Sequence, residues 1–185
     1  NGAGKSTLIK ILAGIYSPDP GAQFSFEGRE VVIKRPIDAT QMGISIIYQD
    51  LSLFPNLSIA ENIYIGHDSG ARGWKKVDWK NMRMIAAKVM SELDMKMDVN
   101  TPVEQLSIAQ QQMIEIARAL AFDSKLIVMD EPTSSLSEGE IEKLYKVIDG
   151  LKQKGISIIF VSHKLEELFR VSDQITVLRD GEYVG

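Results

Sequence analysis

Asn1-Gly2-Ala3-Gly4-Lys5-Ser6-Thr7 opens the chain, and its chemistry governs the reading of everything downstream. The run is the closing half of the phosphate-binding pattern G-x-x-x-x-G-K-[ST], with Gly4-Lys5-Ser6 as its end. Glycines let the backbone approach a ligand and take positive φ. Successive inward-turned N–H groups cradle phosphate oxygens. In such a loop Lys5 reaches the β- and γ-phosphates and the Ser6 hydroxyl ligates Mg²⁺. Residues 6–13 read as a helix whose positive end faces the anion, and Gly14 stops it. A Gly- and Ser-rich turn without function has a similar composition, so the loop needs support from elsewhere. The pattern's first glycine would lie two residues before Asn1. This loop type follows a strand, so the sequence reads as a piece that opens inside the loop.

Composition narrows the classes. A length of 185 residues suits one domain, or one domain with a subdomain. The net charge of −4 argues against a nucleic-acid partner, which calls for a basic surplus. With no cysteine, neither a disulfide framework nor a thiolate metal site can form. His67 and His163 are the two histidines, too few for a histidine-rich metal centre. No apolar run approaches the roughly 18 residues of a membrane span.

Three apolar, β-branched runs end in polar groups. Residues 44–48, Ile-Ser-Ile-Ile-Tyr, read as a buried strand with Gln49 at its carboxyl end. Ligands of open α/β sheets bind at that end. A carboxamide there holds a metal ion or a water without adding charge; equally, Gln49 is an ordinary polar strand-end residue. Residues 126–129, Leu-Ile-Val-Met, form a parallel-type buried strand that runs into Asp130-Glu131-Pro132-Thr133. Neighbours on a strand point to opposite sides. Asp130 can therefore face Mg²⁺ while Glu131, where Pro132 breaks the strand, turns to a water beside a γ-phosphate. Two adjacent carboxylates against an apolar strand are costly as structure alone. Residues 156–161 give a third buried strand, and His163 follows two residues past its end, able to donate to a γ-phosphate oxygen.

The other segments frame these three. Residues 23–26 and 30–33 read as a hairpin turned at Glu27-Gly28-Arg29. Pro36 opens a short helix over 37–42. A second short helix covers 59–65. Residues 67–76 form a Gly-, Ser- and Lys-rich loop expected to be mobile, and His67 within it is expected to be solvated. Asp78 caps a helix running to about Met95, with Met82, Ile85, Val89 and Leu93 on one face. The methionines there suit core filling or an adaptable partner surface. Ser107 and Gln110 form a capping box for a helix to about Phe122, with Met113, Ile116, Ala117 and Leu120 on its buried stripe. That helix start is an ordinary cap or a second anion site, and spacing does not choose between the two. Ser137 and Glu140 cap a further helix to about Lys154. Residues 164–169 are helical, and 174–178 with 182–184 make a second hairpin across Arg179-Asp180-Gly181.

In this order the motifs resemble the nucleotide-binding domain of ATP-binding cassette (ABC) transporters, over the whole chain. Asn1–Thr7 matches the Walker A loop and Gln49 the Q-loop. Leu106–Gln110 matches the signature, Leu126–Glu131 Walker B with its catalytic glutamate, Ser134-Ser135-Leu136 the D-loop and His163 the switch histidine. A narrower resemblance is to the first cassette of bacterial monosaccharide importers of the ribose, galactose or xylose type. It rests on Leu106–Ala117, Asp130–Leu136 and Val161–Lys164. Two departures stand out: Ile108 and Ala109 replace the usual signature glycines, and Ser137 stands where the D-loop has aspartate.

The resemblance implies an α/β P-loop NTPase fold. It has a mostly parallel sheet flanked by helices, an inserted helical subdomain over about 50–120, and antiparallel β-hairpins. It implies an ATP hydrolase that powers sugar import. ATP and Mg²⁺ are held by Asn1, Gly2, Ala3, Gly4, Lys5, Ser6 and Thr7, with Asp130 and Gln49 on the metal side. Glu131 polarises the attacking water, His163 holds the γ-phosphate, and Ser107 with Gln110 completes the site of a second cassette. The implied partners are that second cassette, beyond Gly185, membrane permease subunits and, indirectly, a periplasmic sugar-binding protein. The implied place is the cytoplasmic face of the bacterial inner membrane. A soluble ABC ATPase of the translation or DNA-repair kind is the rival. Repair types insert a long coiled coil between Q-loop and signature, and only residues 50–105, 56 in all, intervene here. The isolated piece is expected to bind nucleotide weakly.

Overall fold

A three-stranded parallel sheet carries the centre of the molecule, which is described here by a computed structural model covering residues 3–65 and 77–185. Asn1, Gly2 and the loop expected at 67–76, His67 included, lie outside the described residues. The sheet order is β3 (Ile44–Ile47), β4 (Leu126–Asp130), β5 (Ser157–Val161). Ile47 pairs with Met129, and Asp130 pairs with Val161. Parallel pairing forces each connection to cross over, so all three strands end at the same rim.

Central β4 is buried along Leu126–Met129, as its unbroken apolar run predicts. β5 corrects the expectation of a third buried strand: Ser157 and Ile159 are exposed and the rest only half-buried. Its composition matches that of β4, but it lies at the margin of the three-stranded sheet, paired on one side. Both hairpins form at their expected places, yet with two-residue strands, β1 (Ser25–Phe26) with β2 (Arg29–Glu30) and β6 (Leu178–Arg179) with β7 (Glu182–Tyr183). Each turns through two consecutive positive-φ residues, Glu27-Gly28 and Asp180-Gly181, the conformation that matches strand twist in tight hairpins.

Helix α1 (Lys5–Leu12) inserts Ile9 and Leu12 beneath the sheet with Ile44 and Val128. Gly14 ends it at φ +69°; a Cβ there would lie 2.5 Å from the Arg35 carbonyl, so only glycine fits. Pro36 begins α2 (Pro36–Gln41). On the other side, α6 (Glu138–Gln153) buries Leu144, Tyr145, Ile148 and Leu151 against β4 and α7 (Leu165–Val171).

A second core lies between α3 (Ile59–Tyr64), α4 (Trp79–Glu92) and α5 (Ile108–Ala121). Met82 and Val89 are buried there as the spacing predicts, Ile85 and Leu93 only partly, and Ala86 and Met90 join them. The narrow stripe expected on α5 is corrected: Ile114, Ala117 and Ala121 enter this core while Ile116 and Ala119 enter the sheet core. Met113 and Leu120 are half-buried. A helix packed on two sides shows a broad apolar arc rather than one stripe. Gln112 and Glu115 are buried with it.

Candidate functional site

The register of the sheet brings the three predicted strand ends level. Tyr48 follows β3 at the height of Asp130, so Gln49, Glu131 and the loop after β5 emerge side by side. Gln49 is exposed there. Glu131 leaves the strand direction at once. Its φ is +47°, costly for a residue with a Cβ, and its N–H donates to the Val161 carbonyl at 2.9 Å while its own carbonyl accepts from Ser134 N at 3.2 Å. The turn aims its carboxylate at His163, whose Nδ1 lies 3.2 Å from Glu131 Oε1.

Asp130 is half-buried beside this pair. Burial pushes its pKa up, the Glu131 charge adds to that, and Lys5 opposes both. Lys5 therefore acts on Asp130 across the gap between α1 and the end of β4. Tyr48 reports the same field: burial first, then the Asp130 charge, raises its phenol. Lys5, Asp130, Glu131 and His163 thus gather at one rim of the sheet, with Gln49 placed beside them by register.

The described part of the loop has the expected form. Gly4 takes φ +90° immediately before α1, and the Ala3 carbonyl accepts a hydrogen bond from Gly181 N at 3.2 Å. A Cβ on Gly4 would come within 3.2 Å of Gly181 Cα. The turn of the second hairpin therefore rests on the phosphate loop, a contact that no local pattern announces. Ser6 and Thr7 lie exposed on the first turn of α1.

Ser107 and Gln110 sit apart. The Gln110 side chain accepts from Ser107 N at 2.9 Å and its own N–H donates to Ser107 Oγ at 3.3 Å, while its amide also donates to Met97. Both side chains are exposed, and their hydrogen bonds stay within the helical lobe. The capping box is real; within this one chain it does not join the rim.

Two buried carboxylates stand outside the sequence reading. Glu115 accepts from Ser52 N at 2.9 Å and Ser52 Oγ at 3.1 Å and pairs with Arg118, which also donates to Ser52. This ties the segment just after Gln49 to α5. Glu167 accepts from Thr133, Ser162 and Lys164. The available signal was faint in both: a glutamate flanked by isoleucines in α5, and one of two consecutive glutamates in α7.

A phosphate loop opening a helix, a carboxylate pair ending the central parallel strand and a histidine from the next strand define a P-loop nucleotide-binding cassette. The chain belongs to the ABC transporter family, whose profile matches residues 1–134. It is 45% identical over 184 residues to the ribose import ATP-binding protein RbsA 2 of Rubrobacter xylanophilus, covering 100% of this chain and 35% of that one. It therefore spans about a third of such curated relatives' length. Among solved structures it resembles a nucleotide-free ATP-binding cassette from an ABC transporter (TM-score 0.87, 26% identity, 100% of this chain and 76% of that one). It also resembles the dimeric post-hydrolysis cassette MJ0796 bound to ADP and Pi (TM-score 0.77, 25% identity, 98% and 78% covered).

Proposed function

We propose that this chain is the ATP-binding and ATP-hydrolysing part of a protein that powers import of a monosaccharide through a membrane permease. The observation that carries the reading is the meeting of Lys5, Asp130, Glu131 and His163 at one sheet rim. Ser6, Asp130 and Gln49 offer a hydroxyl, a carboxylate and a carboxamide, the hard oxygen donors that Mg²⁺ takes. The described residues contain no cluster of three or more His, Cys, Asp or Glu able to cage a metal. Mg²⁺ is held by one or two carboxylates together with substrate phosphates. When bound, Mg²⁺ neutralises charge on the β- and γ-phosphates.

The chain's own residues then divide the work. Asn1–Thr7 are the phosphate-binding residues, and among them Lys5 supplies positive charge. Glu131 holds the attacking water and accepts its proton. His163 steadies the γ-phosphate. While Nδ1 of a neutral ring donates to Glu131, Nε2 offers only a lone pair. Holding a phosphate oxygen as well therefore takes the imidazolium, or a ring that has left Glu131. Ser107 and Gln110, exposed and bonded only within the helical lobe, serve the nucleotide of a second cassette. The dimeric relative with bound ADP and Pi supports the pairing of two cassettes. Residues 50–120 act as the helical subdomain that carries closure to the permease through the loop after Gln49. A periplasmic sugar-binding protein delivers the sugar on the far side, and this chain sits peripherally on the cytoplasmic face. No helix among the described residues is long and apolar enough to cross a membrane.

Steady-state ATPase of the full-length protein with its permease tests this. Glu131→Gln should abolish turnover and leave ATP binding intact; undiminished turnover would remove Glu131 from the chemistry and sink the reading.

A further inference from the structure

Glu167 is an acidic side chain only 6% exposed, in the first turn of α7 and outside the motifs of the phosphate site. Its surroundings are almost wholly donors. Thr133 Oγ1 lies 2.8 Å from one carboxylate oxygen and 2.7 Å from the other. Ser162 Oγ donates to Oε2 at 2.7 Å, and Lys164 Nζ lies 3.0 Å from Oε1. Burial raises its pKa, but the hydrogen bonds of Ser162, Thr133 and Lys164 together outweigh burial and leave it lowered, so the group is held as a carboxylate.

What it connects matters more than its own satisfaction. Ser162 and Lys164 flank His163 on both sides, and Ser162 Oγ also accepts the Lys164 N–H at 3.0 Å. Thr133 lies two residues beyond Glu131, in the turn that follows Glu131's positive φ. One buried carboxylate thus holds the loop that carries the histidine and the loop that carries the glutamate, whose side chains meet at 3.2 Å. A buried charge is a poor device for stability alone, since apolar residues of like volume commonly do as well. It is a good device for fixing two loops against each other, because each hydrogen bond is directional and costly to leave unmade.

We propose that Glu167, through Thr133 and Ser162, is a positioning residue that sets His163 and Glu131 relative to each other for ATP hydrolysis. The proposal deepens the hydrolysis reading and rests on it. Loop displacements of about 1 Å at a reacting centre cost on the order of 100-fold in rate. Thr133→Val keeps the shape and removes one donor; Thr133→Ser keeps the donor. Glu167→Gln keeps the volume and removes the charge.

The experiment uses the full-length protein with its permease and two readouts. The first is kcat and KM for ATP. Thr133→Val and Glu167→Gln should lower kcat about 10-fold or more with KM within about threefold of wild type, and Thr133→Ser should recover most of kcat. A kcat unchanged in Thr133→Val, or a loss that Thr133→Ser does not recover, overturns the proposal. The second readout needs no turnover: the His163 imidazole resonances in histidine-labelled protein, assigned by their loss in His163→Gln. They should move in Thr133→Val and Glu167→Gln and return in Thr133→Ser; resonances that stay in place overturn the proposal. A wild type without ATPase, or a Glu131→Gln variant that still turns over, would instead overturn the hydrolysis reading, and the imidazole resonances still decide the role of Glu167.

Discussion

At the carboxyl rim of the sheet, Asp130 and Glu131 lie side by side, half-buried, with Lys5 acting on Asp130 and the His163 ring 3.2 Å from Glu131. At the start of α5, Ser107 and Gln110 satisfy each other's backbone and side chain and stand open to solvent. The first region holds an electrostatic demand that its own residues do not meet. The second holds none. A half-buried carboxylate whose ionised form is disfavoured gains most from a cationic or proton-bearing complement, so the rim is where chemistry is expected. A capped, exposed helix start behaves as a finished surface with a free outer face, suited to docking against another surface.

The contrast can be broken most sharply at Glu131. Glu131→Gln in the full-length protein should cost at least about 100-fold in turnover, the lower range for loss of a general base. A Ser107→Ala change that cost as much in single-site turnover would reverse the ranking of the two regions. Next in size is the bridge between them. Glu115→Ala removes the acceptor for Ser52 N, Ser52 Oγ and Arg118, and should destabilise the fold by about 1.5–3 kcal/mol in chemical denaturation, the scale of hydrogen bonds to charged groups. Loss below about 0.5 kcal/mol would mean that Ser52 finds other partners at once. Ser107→Ala should cost about 0.5–1 kcal/mol of stability, the ordinary value of an N-cap.

The smallest expected effect is a gain. The folded pKa of Asp130 is raised, by burial first and then by Glu131, against the pull of Lys5. For an acid shifted this way, stability is fully present below its unfolded pKa and is lost as pH rises through the folded value. Asp130→Asn should therefore raise the melting temperature of nucleotide-free protein above the carboxylate range, and the advantage should vanish in acid. Scanning calorimetry across pH, without Mg²⁺ or nucleotide, measures it. A destabilised Asp130→Asn at neutral pH would show that the carboxylate is a structural asset rather than a functional cost.

Much of this rim was legible locally. Leu126–Met129 is an unbroken apolar run and Asp130-Glu131-Pro132 ends it with charge and a strand breaker, so strand, end and chemistry were readable together. The cap at Ser107 was equally plain, because capping acts over three residues. Glu115 and Glu167 were not legible, since their partners lie 63 and 34 residues away for Ser52 and Thr133. From sequence each looks like a helix surface charge. The equal-looking runs of β4 and β5 were read as equally buried, but burial of a strand depends on what lies beside it, which composition does not encode. The close contact of Gly181 with Ala3 and Gly4 joins opposite ends of the chain and leaves no local trace.

The sequence by itself determined the order and kind of the main segments and which chemical groups stand at the ends of the sheet strands. Periodicity, capping and turn preference act over a few bonds and need no tertiary context. Only the tertiary structure decided which strand ends share a rim, that His163 reaches Glu131, and that two remote glutamates are buried braces rather than solvated charges. Parallel register and core packing are relations between segments far apart in the chain, and their energies arise only once those segments have met.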